Sequence, residues 1–295
     1  MKTSKIENGK FPFFQAYSDS IEKIPVFRQD VSTAPLNEIE VKLYRKYVGK
    51  LLWLSENVRP DLAYAALEMS QKTKCATLKD LKAVNHVVGR LRDRDNKVIY
   101  KKVADKENLI VKTISDASFF KEKPSVGGSL VLLADKNSSR VAPLYWKSKT
   151  IDKVCVSTKD AETRACFKNV NEGMYAAERI EMMLFGKWTN RIKVENYNDS
   201  EPMIRSLAST KRVENLSLCN TVQAMKEYLL EEKVLSYSYV QSKDNVADLL
   251  TKPKVETQEF SNVFLKGEFT KGKKELEVGI VKRQHGYEIR LKDSK

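Results

Sequence analysis

Apolar residues recur with two different periods along this chain, and the change from one to the other divides it. Between residues 37 and 95 the period is helical. Tyr44, Tyr47, Val48, Leu51 and Leu52 form one stripe, Pro60 breaks it, and Leu62, Ala65, Ala66 and Met69 begin a second. A third helix is predicted through Leu78, Leu81, Val84, Val88 and Leu91, with Thr77 and Asp80 spaced as a short capping box at its start. Residues 1–36 mix FPFF with charges, Pro12 and Pro25, sustain no period, and read as an irregular arm.

From residue 108 the signal becomes β. NLIVKTIS, SVGGSLVLLA and VAPLYWKSK are three apolar runs separated by polar or Gly/Pro-bearing turns, which predicts an antiparallel meander. Residues 160 to 185 return to a helical stripe of Phe167, Val170, Met174, Ala177, Ile180 and Leu184, weakened at Gly173. Then come the strand RIKVENYND, a helix through Leu218, Val222, Met225 and Leu229, the strand VLSYSYV, and a last helix DNVADLLTK stopped by Pro253. The order βββ-α-β-α-β-α predicts an α/β fold with a mixed five-stranded sheet flanked by helices. Residues 257–295 read as a basic C-terminal tail holding at most one hairpin.

Composition narrows the chemistry. The 295 residues include 53 Lys and Arg against 39 Asp and Glu, a net charge of +14 that suits a polyanionic partner such as nucleic acid, as well as plain solubility. No segment approaches the roughly 20 apolar residues of a membrane span, and the first ten residues lack the apolar run of a signal peptide, so an intracellular location is expected. Cys75, Cys155, Cys166 and Cys219 match neither a zinc spacing nor a disulfide framework and are expected to be buried thiols. Only His86 and His285 are present, which leaves little material for a histidine metal site or a Ser-His-Asp triad. Carboxylates must carry any chemistry.

Four stand out. Asp116 is predicted at the end of the first strand and Asp199 at the end of RIKVENYND, while Glu162 and Asp248 are predicted in the first turns of helices. Each alone has an ordinary explanation as a turn former or as an acid favoured by a helix dipole. Together, two strand-end and two helix-start acids can converge at one end of such a sheet, and that many carboxylates share a small volume only with cations between them. Mg²⁺ takes hard oxygen ligands, and two such ions about 4 Å apart suit phosphodiester hydrolysis.

These motifs resemble the ribonuclease H region that ends the Pol polyprotein of copia-type retrotransposons. ISDASFF is similar to that family's first aspartate strand, and APLYWKSKTIDKVCVSTKDAETRA to its W-K-S-K segment followed by S-T-x-E-A-E. YNDSEPMI resembles the third acidic strand and turn, and YVQSKDNVADLLTKP the A-D-x-L-T-K-P ending, all in family order. Upstream, LYRKYVGKLLWLSENVRPDLAYA is similar to the helical connection that follows the family's reverse transcriptase. The resemblance divides the chain into the arm at 1–36, a connection-like helical segment at 37–106, a ribonuclease H-like domain at 107–256 and the tail. It implies cleavage of the RNA strand of an RNA/DNA hybrid, with Asp116, Glu162, Asp199 and Asp248 as catalytic metal ligands for two Mg²⁺ ions, or Mn²⁺ in their place. It further implies a reverse transcriptase domain as a partner and the cytoplasm, within virus-like particles, or the nucleus as location.

Lys159, Asp160 and Thr163 depart from the family's usual residues beside the second acid. No Y-x-D-D polymerase motif occurs, so on this resemblance the chain starts after the palm. Lys147, Lys149, Lys211 and Arg212 lie near the acidic loops and are the phosphate contacts expected. The alternative is a truncated or domesticated transposon remnant that binds nucleic acid or protein without cutting. An integrase-like nuclease would share the chemistry, but its acids follow another order.

Overall fold

A computed structural model describes residues 21–26, 31–93, 98–211, 215–253, 257–270, 276–283 and 286–293. The chain divides into two compact units, Met1–Tyr100 and Lys101–Lys295. The first is helical. Helix α1 (Glu38–Asn57) starts in a full capping box, where Asn37 accepts the Glu40 N–H and the Glu40 carboxylate accepts the Asn37 N–H. Pro60 opens a 3₁₀ turn, Pro60–Leu62, that leads into α2 (Ala63–Gln71). Helix α3 (Leu78–Asp93) begins where the Asp80 carboxylate takes the Thr77 N–H and hydroxyl. Tyr44, Leu51, Leu54, Leu62, Leu81, Val84 and Val88 form its core, and from the predicted arm Ile21 and Ile24 are buried in that core.

The second unit is built on one mixed sheet. Its strands are β1 (Leu109–Ser118), β2 (Val126–Asp135), β3 (Val141–Thr150), β4 (Val194–Asn198), β5 (Val234–Tyr239), β6 (Leu276–Arg283) and β7 (Gly286–Asp293). They lie in the order β3-β2-β1-β4-β5-β6-β7. The first three form the expected antiparallel meander; β4 and β5 run parallel to β1. That five-stranded part, with helices between its parallel strands, has the ribonuclease H-like arrangement. Helices α4 (Thr158–Phe185), α5 (Glu201–Ala208) and α6 (Leu216–Leu230) supply the intervening helical layer.

Three expectations are corrected. Residues 257–295 are not a tail appended to a five-stranded domain: β6 pairs with β5 and β7 with β6, giving seven strands. The apolar alternation of Leu276, Val278 and Ile280 packs that hairpin on the core, and Phe260, Val263 and Phe264 are buried just before it. The predicted last helix is instead a 3₁₀ turn, Val246–Leu250, capped by the Asn245 side chain on the Ala247 N–H. The thiols are all free; Cys155 and Cys166 are buried as expected, whereas Cys75 is exposed and Cys219 only half-buried. Among the described residues no helix is long and apolar enough to cross a membrane.

Close approach of α4 to the sheet depends on Gly173. A Cβ there would lie 2.3 Å from Thr113 Cγ2, so the residue that weakens the helix in isolation is the one that lets it sit flat on β1. The helix starts at Ser157, whose side chain accepts the Asp160 N–H, while the Asp160 carboxylate takes the Val156 N–H and pairs with Arg164 at 2.7 Å. The departures at Asp160 and Thr163 are therefore internal to the helix start: the Thr163 hydroxyl bonds the Lys159 carbonyl.

Candidate active site

Strand register puts the first two acids side by side. β1 and β4 are parallel with Ser115 opposite Asn198, so Asp116 and Asp199 follow as neighbours at the same level. Asp116 lies inside β1 rather than at its end, because β1 continues to Ser118 against β2. Glu162 arrives from the first turn of α4. Its Oε1 accepts the Ala117 N–H at 3.1 Å and its Oε2 accepts the Asn198 amide at 3.0 Å. One carboxylate oxygen from each of Asp116, Glu162 and Asp199 lies within 4.8 Å of the other two.

Burial and crowding act together on this group. Desolvation, with a smaller contribution from the Asp116 charge, pushes Glu162 up to about 8 despite the two hydrogen bonds it accepts. Desolvation likewise raises Asp116 to about 6; Lys252 opposes the rise and Asp199 adds to it. Asp116 and Glu162 thus resist full ionisation near neutral pH without a counter-cation. That is the electrostatic condition a divalent ion satisfies.

Asp248 is not part of the three-carboxylate group. It sits in the 3₁₀ turn, where its Oδ1 is 2.6 Å from Lys252 Nζ, and the same ammonium is 3.5 Å from Asp116 Oδ2. The turn lies over Asp116 because β2 carries Gly128 directly opposite it: a Cβ at Gly128 would be 2.8 Å from Leu250 Cβ and 2.9 Å from Thr251 Cγ2. Ser118 and Ser148 clasp the turn through the Thr251 and Leu250 carbonyls, at 2.9 and 2.6 Å. The Thr251 hydroxyl donates to Asp116.

Asn198, Thr251 and Lys252 therefore shape the site, although none of them was expected from the sequence to have a role there. Thr251 and Lys252 belong to the T-K-P ending and Asn198 to the Y-N-D segment, so the signal lay in residues adjoining the acids. Asn198 is one rung of a buried polar ladder: its amide also donates to the Ser115 hydroxyl, and the Asn196 amide donates to Thr113 Oγ1 at 3.0 Å. Of the predicted phosphate contacts, Lys147 and Lys149 alternate on β3 and line one groove with the start of α4. Lys211 is exposed after α5, outside that groove, and Arg212 lies outside the described residues.

No protein-family model matches the chain. Solved structures that resemble it include LC11-RNase H1 in complex with an RNA/DNA hybrid, 19% identical, matching 48% of this chain and 92% of that one with a TM-score of 0.34. The N-terminal RNase H domain of rv2228c from Mycobacterium tuberculosis, solved as a fusion with maltose-binding protein, is 17% identical over 48% of this chain and 91% of that one, TM-score 0.36. A foamy viral protease-reverse transcriptase in complex with an RNA/DNA hybrid is 13% identical and matches 84% of this chain but 29% of its own length, TM-score 0.45.

Proposed function

We propose that this chain is a ribonuclease H-type phosphodiester hydrolase of a copia-type retrotransposon polyprotein, cutting the RNA strand of RNA/DNA hybrids with two Mg²⁺ ions. The observation that carries the reading is the convergence of Asp116, Glu162 and Asp199 on one small volume. Their donors are all carboxylate oxygens, the ligand class that Mg²⁺ and Mn²⁺ take. Bound there, divalent ions supply the charge that eases ionisation of the attacking water and offsets the charge on the departing oxygen.

The chain's own residues supply orientation. The Asn198 amide and the Ala117 N–H hold the two oxygens of Glu162, and the Thr251 hydroxyl fixes one oxygen of Asp116. Lys252 neutralises Asp248 and part of Asp116, so in this reading Asp248 joins the ligand set only when that ammonium gives way. The same ion pair favours a second reading, a remnant that binds nucleic acid without cutting it, because a resident ammonium competes for the fourth acid.

One assay separates the two. Labelled RNA/DNA hybrid, duplex DNA and duplex RNA are incubated with the chain and Mg²⁺, beside Asp199→Asn. Selective loss of the hybrid's RNA strand, absent in the variant, is expected. Hybrid cleavage no greater than that of the variant overturns the enzyme reading.

A further inference from the structure

The groove between β3 and the start of α4 has a volume of about 260 Å³, and its lining contains none of the four acids. Five cationic side chains line it: Lys147, Lys149, Lys153, Arg164 and Lys168. Two of these carry the argument. Lys149 and Lys168 line the same groove, close enough for the Lys149 charge to act on Lys168. Burial, and then the Lys149 ammonium, hold the Lys168 amine below the ordinary lysine range.

Two carboxylates, Asp152 and Glu172, act on Lys168 through space. Asp152 is 3.2 Å from Lys149, and Asp160 is taken by Arg164. Neither Lys153 nor Lys168 forms an ion pair with a described residue. An anion lodged between Lys149 and Lys168 converts their repulsion into two attractions, in a partly desolvated site where each is stronger than in bulk water.

We propose that this groove holds the phosphates of a nucleic-acid strand flanking the cut site. The proposal rests on reading the chain as a protein that acts on nucleic acid. Free phosphate or a nucleotide would satisfy the same charges, but the layout favours a strand. Tyr145, Lys147 and Lys149 alternate on the α4 face of β3, so the two ammonium-bearing side chains repeat about every 6.8 Å along it. That is the order of spacing between successive phosphates of an extended strand. The Tyr145 and Phe167 rings line the same groove, as base-stacking surfaces do. Ala165, one helical turn beyond Glu162, packs on Gly127 at the groove's inner wall, so the groove begins one turn from the acids.

The test is binding in EDTA, where no metal bridges the acids and nothing is cut. Anisotropy of a labelled single-stranded DNA oligonucleotide, and of a hybrid with a single-stranded extension, is followed on the full chain across a salt series. Lys149→Gln with Lys168→Gln is compared with Lys136→Gln with Lys282→Gln, which removes the same charge at exposed sites elsewhere. Loss of two strand contacts predicts about tenfold weaker binding and a log-log salt slope shallower by about 1.4, against less than about twofold for the control pair. Equal effects of the two pairs, at equal melting temperature, overturn the proposal. So does an effect confined to inorganic phosphate or a nucleoside monophosphate used as competitors, which marks a small-anion site. Because cleavage is not read, a chain that fails to cut but binds strands through Lys149 and Lys168 refutes the nuclease reading and leaves the groove standing.

Discussion

Replacing Gly173 by Ala tests how α4 is seated on the sheet. In an exposed helix this change stabilises by about 1 kcal/mol, because glycine is a poor helix former. Here the added Cβ lies 2.3 Å from Thr113 Cγ2, more than an ångström inside ordinary contact, while Val111 and Val194 Cγ1 atoms are at an acceptable 3.5 Å. Thr113 is buried and β-branched, and its hydroxyl accepts the Asn196 amide, so it cannot turn away without giving up that bond. Overpacking of this kind costs about 3 kcal/mol at the upper end of its range, leaving Gly173→Ala less stable by about 2 kcal/mol. Thr113→Ser deletes the offending methyl and keeps the hydroxyl. In that background the same glycine change becomes stabilising by about 1 kcal/mol, a coupling of about 3 kcal/mol between the two sites. Urea unfolding of the four proteins in the double-mutant cycle measures it. A Gly173→Ala protein as stable as the parent, or a coupling within about 0.5 kcal/mol of zero, refutes this account of the helix–sheet contact.

Other expectations follow from the same contacts. In EDTA, folded Glu162 keeps its proton up to about 8 whereas the unfolded chain releases it near 4.5, so stability falls as pH rises through that window. Glu162→Gln removes most of that slope and stabilises the metal-free protein at pH 8 by something on the order of 3 kcal/mol, the remainder of the effect being shared with Asp116. Thermal melts from pH 5 to pH 9 decide it; parent stability that climbs with pH is the contrary result. Gly128→Ala drives a Cβ into Leu250 and Thr251 and lifts the turn that carries Asp248, with a stability loss of about 1–3 kcal/mol and weaker Mn²⁺ binding by calorimetry. Undiminished metal affinity would mean the turn's seating does not matter to the site. Glu181 is buried in α4 and, although burial opposes it, the N–H groups of Ile192 and Thr189 hold its carboxyl below the usual range. Its contribution is present above the unfolded value of 4.5 and is lost as pH falls; Glu181→Gln should lower the urea midpoint at pH 7 and leave acid stability nearly unchanged.

Much of the architecture was legible because it is periodic. Alternation in NLIVKTIS and SVGGSLVLLA marked strands, and the Phe167-to-Leu184 stripe marked the long helix. Asp116, Glu162 and Asp199 were readable as a group from order and neighbours. Asp248 was readable as a nearby acid, but its separation from the others was not: it depends on an ammonium four residues on, and only the folded turn decides whether Lys252 points to solvent or to two carboxylates. Gly173 looked like a defect because helix propensity is local, whereas its use is a contact with Thr113 sixty residues earlier in the chain. The C-terminal segment read as a basic tail with at most one hairpin, and its docking on the sheet was not legible, since nothing local in ELEVGIVKR names β5 as its neighbour.

That docking decides which backbone the sheet shows to the outside. Without β6, the open edge would be β5, six residues whose N–H and C=O groups are free to template pairing with another chain. With the hairpin in place the edge moves to β7, where Glu288 is held between Arg283 and Arg290 and partly exposed charges stand where an incoming strand would lie. The last strands thus act as an internal guard against association, and a chain whose hairpin has detached is the form most prone to exchange strands with its neighbours.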